Sequence, residues 1–117
     1  MNIEEFRDFC IAKKRATEEL PFGPDVLVYK VLGKIFALTS LNTELFSTSL
    51  KCNPDKAVEL REEYDYIVPG YHLNKKHWNT INCEIASTVL MKELINHSFD
   101  TVVASFTKKQ KEEFDLL

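Results

Sequence analysis

The sequence predicts an α+β fold in two layers, with one antiparallel sheet and helices on one of its faces, in the order α-β-β-β-α-β-β-α. Three observations predict it. Apolar residues recur at three- and four-residue spacing in stretches near both ends of the chain and again around residues 53–64. Between those stretches, apolar and polar residues alternate at period two. Short turns, rather than helices, join most of the strand-like runs, which favours antiparallel over parallel pairing.

The first helix is expected over residues 2–15. Ile3, Phe6 and Cys10 form a stripe flanked by Phe9 and Ala12, with Asn2 as a cap. Glu4 and Glu5 suit the positive end of the helix dipole, and Lys13, Lys14 and Arg15 the other end. "ELPFGPD" (19–25) cannot continue a helix, because Pro21 and Pro24 each remove a donor and Gly23 permits a bend. Two β-branched and aromatic runs then flank Leu32-Gly33, the signature of a hairpin. In the third run Phe46, Thr48, Leu50 and Cys52 face one way, and Ser47, Ser49 and Lys51 the other. "NPDKAVELREEY" is the second helix, with Asn53 as cap, Pro54 at the first helical position, and Ala57, Leu60 and Tyr64 as a narrow apolar stripe. Short strands follow at 66–68 and from Trp78 to near Cys83, with a polar loop between them. The last helix, capped by Ser87, buries Met91, Leu94, Ile95, Ser98, Phe99, Val102, Val103 and Phe106 over about five turns. "TKKQKEEFDLL" reads as a frayed or short helical tail.

A chain of 117 residues, 44% hydrophobic and 28% charged, is expected to form a single domain spanning 1–117 around its own core. The net charge of −3 argues against a general polyanion binder and leaves only a local basic patch for that purpose. Three cysteines, Cys10, Cys52 and Cys83, form no CxxC pair and suggest neither a disulfide framework nor a zinc site. The acidic N-terminus and the lack of a long apolar run point to a cytoplasmic protein with no membrane partner.

Catalytic chemistry finds little support. His72 and His77 lie five apart with two lysines between them, a poor setting for a divalent cation, so no metal is expected. The cysteines fall at inward positions, Ser49 and Ser98 lack a glycine-flanked elbow, and no glycine-rich phosphate loop exists. No cofactor and no enzymatic activity are expected. The unusual stretch is "PGYHLNKKHWNTIN" (69–82), which holds two histidines, two lysines, three asparagines and the single tryptophan without one acidic residue. Lysines, donor-rich side chains and an indole suit an anion, a phosphate backbone or a base. The same residues could equally build a turn and plug a core.

"PFG" (21–23), "GKIFALTSL" (33–41), "LKC" (50–52), "PGYHLNKKHWNTI" (69–81) and "LINHSFDTVVA" (94–104), in this order, resemble the MmcQ/YjbR family over nearly the whole chain. The resemblance implies a compact YjbR-like fold of helix, three strands, helix, two strands and helix. That fold has been likened to a double-wing DNA-binding arrangement, and to frataxin-like and secretion-chaperone-like folds. It brings no catalytic residues. By this analogy of folds, the expected function is DNA binding, with Tyr71, His72, Asn74, Lys75, Lys76, His77, Trp78 and Asn79 as the contact set. The alternative is a small anionic ligand or a protein partner at the same residues. The chain is expected to be a monomer or a weak homodimer formed through an exposed edge strand.

Overall fold

The computed structural model describes residues 1–70 and 73–116. Helix α1 (Ile3–Ile11) precedes four strands, β1 (Ala16–Glu19), β2 (Val26–Val31), β3 (Lys34–Ser40) and β4 (Ser47–Lys51). Helix α2 (Pro54–Glu63) leads to β5 (Ile67–Pro69) and β6 (Trp78–Asn82), and then α3 (Thr88–Ala104) and α4 (Lys108–Asp115) close the chain. The six strands form one antiparallel sheet in the order β1-β2-β3-β4-β6-β5. The helices cover one face, with α1 against β1, α3 across β2, β3 and β4, and α2 over β5 and β6. The α+β class, the two layers and the order of the expected elements are those read from the sequence.

The differences lie near the ends. Helix α1 stops at Ile11, and Arg15 adopts a left-handed backbone (φ 60°) that turns the chain into β1. Lys13, Lys14 and Arg15 are therefore a turn rather than a helix terminus. Strand β1, "ATEE", was not expected, because two glutamates in four residues carry little strand propensity. Tertiary contacts supply what propensity lacks. Arg7 grips the Glu18 carboxylate with Nε and Nη2 (3.2 and 2.9 Å), and the Tyr29 hydroxyl donates to the same carboxylate at 2.6 Å. The C-terminal tail forms α4, which starts with a Thr107–Gln110 capping box and rests Phe114 against Phe99 and Phe106.

Most local signals act as written. Leu32 and Gly33 both take positive φ (46° and 79°), the geometry of the two-residue hairpin turn that matches strand twist. A bulge after Tyr29 pairs Lys30 with Ile35, so Phe36 and Ala37 both reach the covered face while Leu38 falls on the other. Asn53 and Ser87 cap α2 and α3. The core joins Phe6, Tyr29, Phe36, Leu50, Ile81, Met91, Ile95 and Phe99, with edge-on ring pairs such as Phe36–Phe99 at 5.3 Å.

The single serine on the buried stripe of α3 completes the sheet. Ser98 Oγ donates to the Phe36 carbonyl (2.6 Å) and accepts from the Lys51 amide (2.8 Å). The β3–β4 ladder has its last pair at Ala37 and Leu50, so the hydroxyl occupies the next rung and satisfies two backbone groups.

Candidate nucleic-acid interface

Between β5 and β6, residues 73–77 of the acid-free stretch form a turn held from several sides. At the start of the stretch Gly70 donates its amide to the Trp78 carbonyl at 2.8 Å. A side chain at Gly70 would place its Cβ 2.7 Å from that of Trp78, so the close approach of β5 and β6 here requires glycine. Asn74 shapes the turn itself. Its Oδ1 accepts from the Lys76 amide (2.9 Å), and its carbonyl accepts from the amides of His77 and Trp78 (3.1 and 3.0 Å). The His77 carbonyl accepts from the Cys52 amide at 2.7 Å, tying the turn to the end of β4.

Helix α2 supplies the remaining anchor. Arg61 Nη1 reaches the Lys75 carbonyl at 3.0 Å and Asn79 Oδ1 at 2.9 Å. Asn79 Nδ2 in turn donates to the Ala57 carbonyl at 3.2 Å. Asn79 is only 2% exposed, so it stitches β6 to α2 and leaves the contact set. Period-two parity carried that signal: Asn79, Ile81 and Cys83 share a parity, and the last two are apolar and buried. Nothing local in the sequence says that Arg61, near the helix C-terminus, reaches a loop fourteen residues later.

Of the other expected contact residues, Lys75 and Lys76 are exposed, while His77 and Trp78 are half-buried. Asn74 is exposed, with its side chain given to the turn. Tyr71 and His72 lie outside the described residues. Trp78 stands opposite Lys51 in the β4–β6 register, on the sheet face away from the helices. The indole is therefore not a plug of the helix-covered core.

Charge separates this turn from the rest of the surface. Among the described residues, the ion pairs join Arg7 to Glu18, Arg15 to Glu113, Lys30 to Glu19 and Lys56 to Glu93. Neither Lys75 nor Lys76 takes part, and the acids of α2 do not reach them. Lys13 is committed elsewhere, donating to Asn96 and lying over the Phe9 ring, and Lys14 covers Phe114. Lys51 places a further cation beside the turn, through its register with Trp78.

Nucleophilic chemistry has no footing in the thiols. All three cysteines are buried. Burial pushes Cys83 up to about 12 and raises Cys10 and Cys52 as well, so each is a protonated, inert thiol near neutral pH.

The YjbR family model matches residues 11–101, which takes in the sheet, α2, the lysine turn and most of α3. This chain belongs to the YjbR family. The chain is 40% identical over 92 residues to an uncharacterized protein, YbdF, of Escherichia coli O157:H7, covering 78% of this chain and 75% of that one. It is 32% identical over 81 residues to an uncharacterized protein, YjbR, of Escherichia coli strain K12, covering 69% of each. Among solved structures, the Deinococcus radiodurans protein DR2400, described as a DUF419 domain, superposes with a TM-score of 0.89 at 35% identity, over 99% of this chain and 89% of its own. A Pseudomonas syringae protein gives 0.75 at 27% identity, over 86% and 98%. These relatives share the YjbR-family scaffold, and their names carry no activity. No helix among the described residues is long and apolar enough to cross a membrane.

Proposed function

We propose that this YjbR-family chain is a non-catalytic DNA-contacting module that works through the turn 73–78. Lys75 and Lys76 contact phosphates, Lys51 extends the cationic edge along β4, and His77 and Trp78 border it. The observation that carries this reading is the pair of exposed lysines that meet no carboxylate among the described residues, on a turn fixed by Arg61 and Asn74. The net charge of −3 makes that binding local and moderate in strength.

The test is a titration of labelled DNA that carries both a duplex and a single-stranded arm, at two salt concentrations. Each phosphate contact contributes about 0.7 to 0.9 to the log–log salt slope. The Lys75→Ala/Lys76→Ala double variant should bind more weakly and with a shallower slope. Negligible binding by the unaltered protein at low salt, or equal slopes for the two proteins, sinks the proposal.

The second reading is a small anionic metabolite at the same turn. What favours it is a concavity of about 550 Å³ on the uncovered sheet face, within the range of small-ligand sites. Thermal-shift screening with nucleotides and organic acids checks it, because a ligand bound only by the folded state raises the Tm.

A further inference from the structure

The concavity beside the lysine turn is a feature of the surface that the phosphate contacts leave unused. Phe22, Val26, Leu38 and Leu73 supply its apolar lining. Ser49 and Thr80, hydrogen-bonded to each other at 2.8 Å, pave the side nearest β6. Ser40 and Ser47 add further hydroxyls, and none of its described lining residues is charged.

Phe22 is unusual among the aromatic residues. It is 65% exposed, although its ring has apolar neighbours at hand. It sits between Pro21 and Pro24, with Gly23 at φ 103°, in a loop whose prolines fix the backbone. Pro21 and Pro24 restrict the backbone on either side of Phe22, and its exposure leaves the ring accessible to a ligand in the groove.

The register places the cations. Ser49 pairs with Thr80 inside the groove, and the next same-face pair along β4 and β6 is Lys51 with Trp78, roughly 7 Å further. Leu73, which lines the groove, is two residues from Lys75. A neutral slot with an aromatic ring and hydroxyls thus adjoins lysines that meet no carboxylate among the described residues. Its complement is a flat, neutral, hydrogen-bonding ring that carries an anionic tail.

We infer that this groove seats an unpaired base of a single DNA strand, with Phe22 as its stacking wall and Lys51, Lys75 and Lys76 on the adjoining phosphates. A base within a closed duplex is covered above, below and across, and cannot enter such a slot. A strand with its bases free can stack on one aromatic side chain while cations track its backbone. The inference rests on the DNA reading above and sharpens it to single-stranded substrate.

The experiment compares a labelled single strand with its own duplex, using the unaltered protein, Phe22→Ala, Phe22→Trp and the Lys75→Ala/Lys76→Ala variant. Phe22 is exposed, so its variants should keep the same Tm and circular dichroism. The unaltered protein should prefer the single strand. Phe22→Ala should lose about tenfold of single-strand affinity with little change in salt slope, and Phe22→Trp should retain it. The fluorescence of Trp78, the one tryptophan, should change when the single strand binds the unaltered protein. A Phe22→Ala variant that binds the single strand as well as the unaltered protein overturns the inference, as does a preference for duplex. In either case a shallower slope in the lysine variant leaves the broader DNA reading standing. A free nucleoside monophosphate that competes as well as the strand would also overturn it, in favour of a small-ligand site. If neither DNA form binds, both readings fall together.

Discussion

Beneath the helices, the sheet carries Tyr29, Phe36, Ala37, Leu50 and Ile81 at 2% exposure or less; on the opposite face the same strands carry Val26, Leu38, Ser49, Thr80, Lys51 and Trp78, with no helix over them. On the covered face every polar intrusion has an assigned place. Ser98 fills a rung of the ladder, Asn79 ties β6 to α2, and Thr39 and Thr48 donate to the carbonyls of Ser47 and Leu38. No buried side-chain nitrogen or oxygen among the described residues lacks a partner. The uncovered face mixes apolar, hydroxyl and cationic groups; Val28, paired with Leu38, is fully buried there, while Val26, Leu38, Ser49, Thr80, Lys51 and Trp78 stay partly accessible. One face is packed against the helices, and the groove and lysine edge of the other stay open to contact.

The sharpest way to break that contrast is to truncate neighbours on opposite faces of β3. Phe36→Ala removes a fully buried ring that meets Tyr29 and Phe99, and should cost about 3–5 kcal/mol. Leu38→Ala, two residues on, should cost about 1 kcal/mol, because its side chain keeps water on one side. Urea denaturation with a common m-value measures both. Equal losses would mean that the second face is packed as tightly as the first, and the division of labour would be wrong.

The contrast was partly legible in the sequence. Alternation from Phe46 to Cys52 separated the two faces of β4 correctly, and the apolar stripe of the last helix named the six buried residues of α3, while Val103 is half-buried and Phe106 is buried just past the helix end. Asn53 with Pro54, and Leu32 with Gly33, marked a helix start and a turn through chemistry that acts within a few residues. What the sequence hid depends on partners remote in the chain. Strand β1 exists because Arg7 of α1 and Tyr29 of β2 converge on Glu18, and no local propensity reports that convergence. In the same way, Asn79 is next to Trp78 in the sequence but shares the parity of Ile81, which only the fold assigns to the covered face. Phe22 looked like part of a turn, since exposure is a property of the fold and not of the tripeptide.

Arg61 lies where the two regions meet, and it offers a test of how the packed side steadies the contact side. Arg61→Ala leaves the buried Asn79 Oδ1 and the Lys75 carbonyl without their shared donor, at a cost of about 1–2 kcal/mol. The more telling readout is limited proteolysis with trypsin. Lys75 and Lys76 are exposed cleavage sites on a turn held by hydrogen bonds, so the variant should be cut there several-fold faster under native conditions. This measurement does not depend on any ligand. Unchanged cutting would show that Asn74 and the strand ends suffice to hold the turn, and that Arg61 serves stability alone.

The smallest expected effect is confined to the helical layer. His97 of α3 accepts the Asn53 amide on Nε2 at 3.2 Å, at the very cap of α2, and so must be neutral there. Burial, and then the charge of Lys56, lower its pKa from 6.5, against smaller opposing contributions from Asp100 and Glu93. A histidine with a depressed folded pKa takes up its proton more readily in the unfolded chain. Stability from this group is therefore complete above about pH 6.5 and declines as the pH falls toward the folded value. Glu18 adds a separate loss at lower pH, because the Arg7 hydrogen bonds hold its carboxyl below the usual range of 4.5. His97→Gln keeps an acceptor at α2's cap and removes the titration. Denaturation midpoints from about pH 7 down to about pH 5 should fall for the unaltered protein and flatten for the variant. If both fall alike, the proton is taken up elsewhere, and the cap of α2 is not the pH-sensitive joint of the packed face.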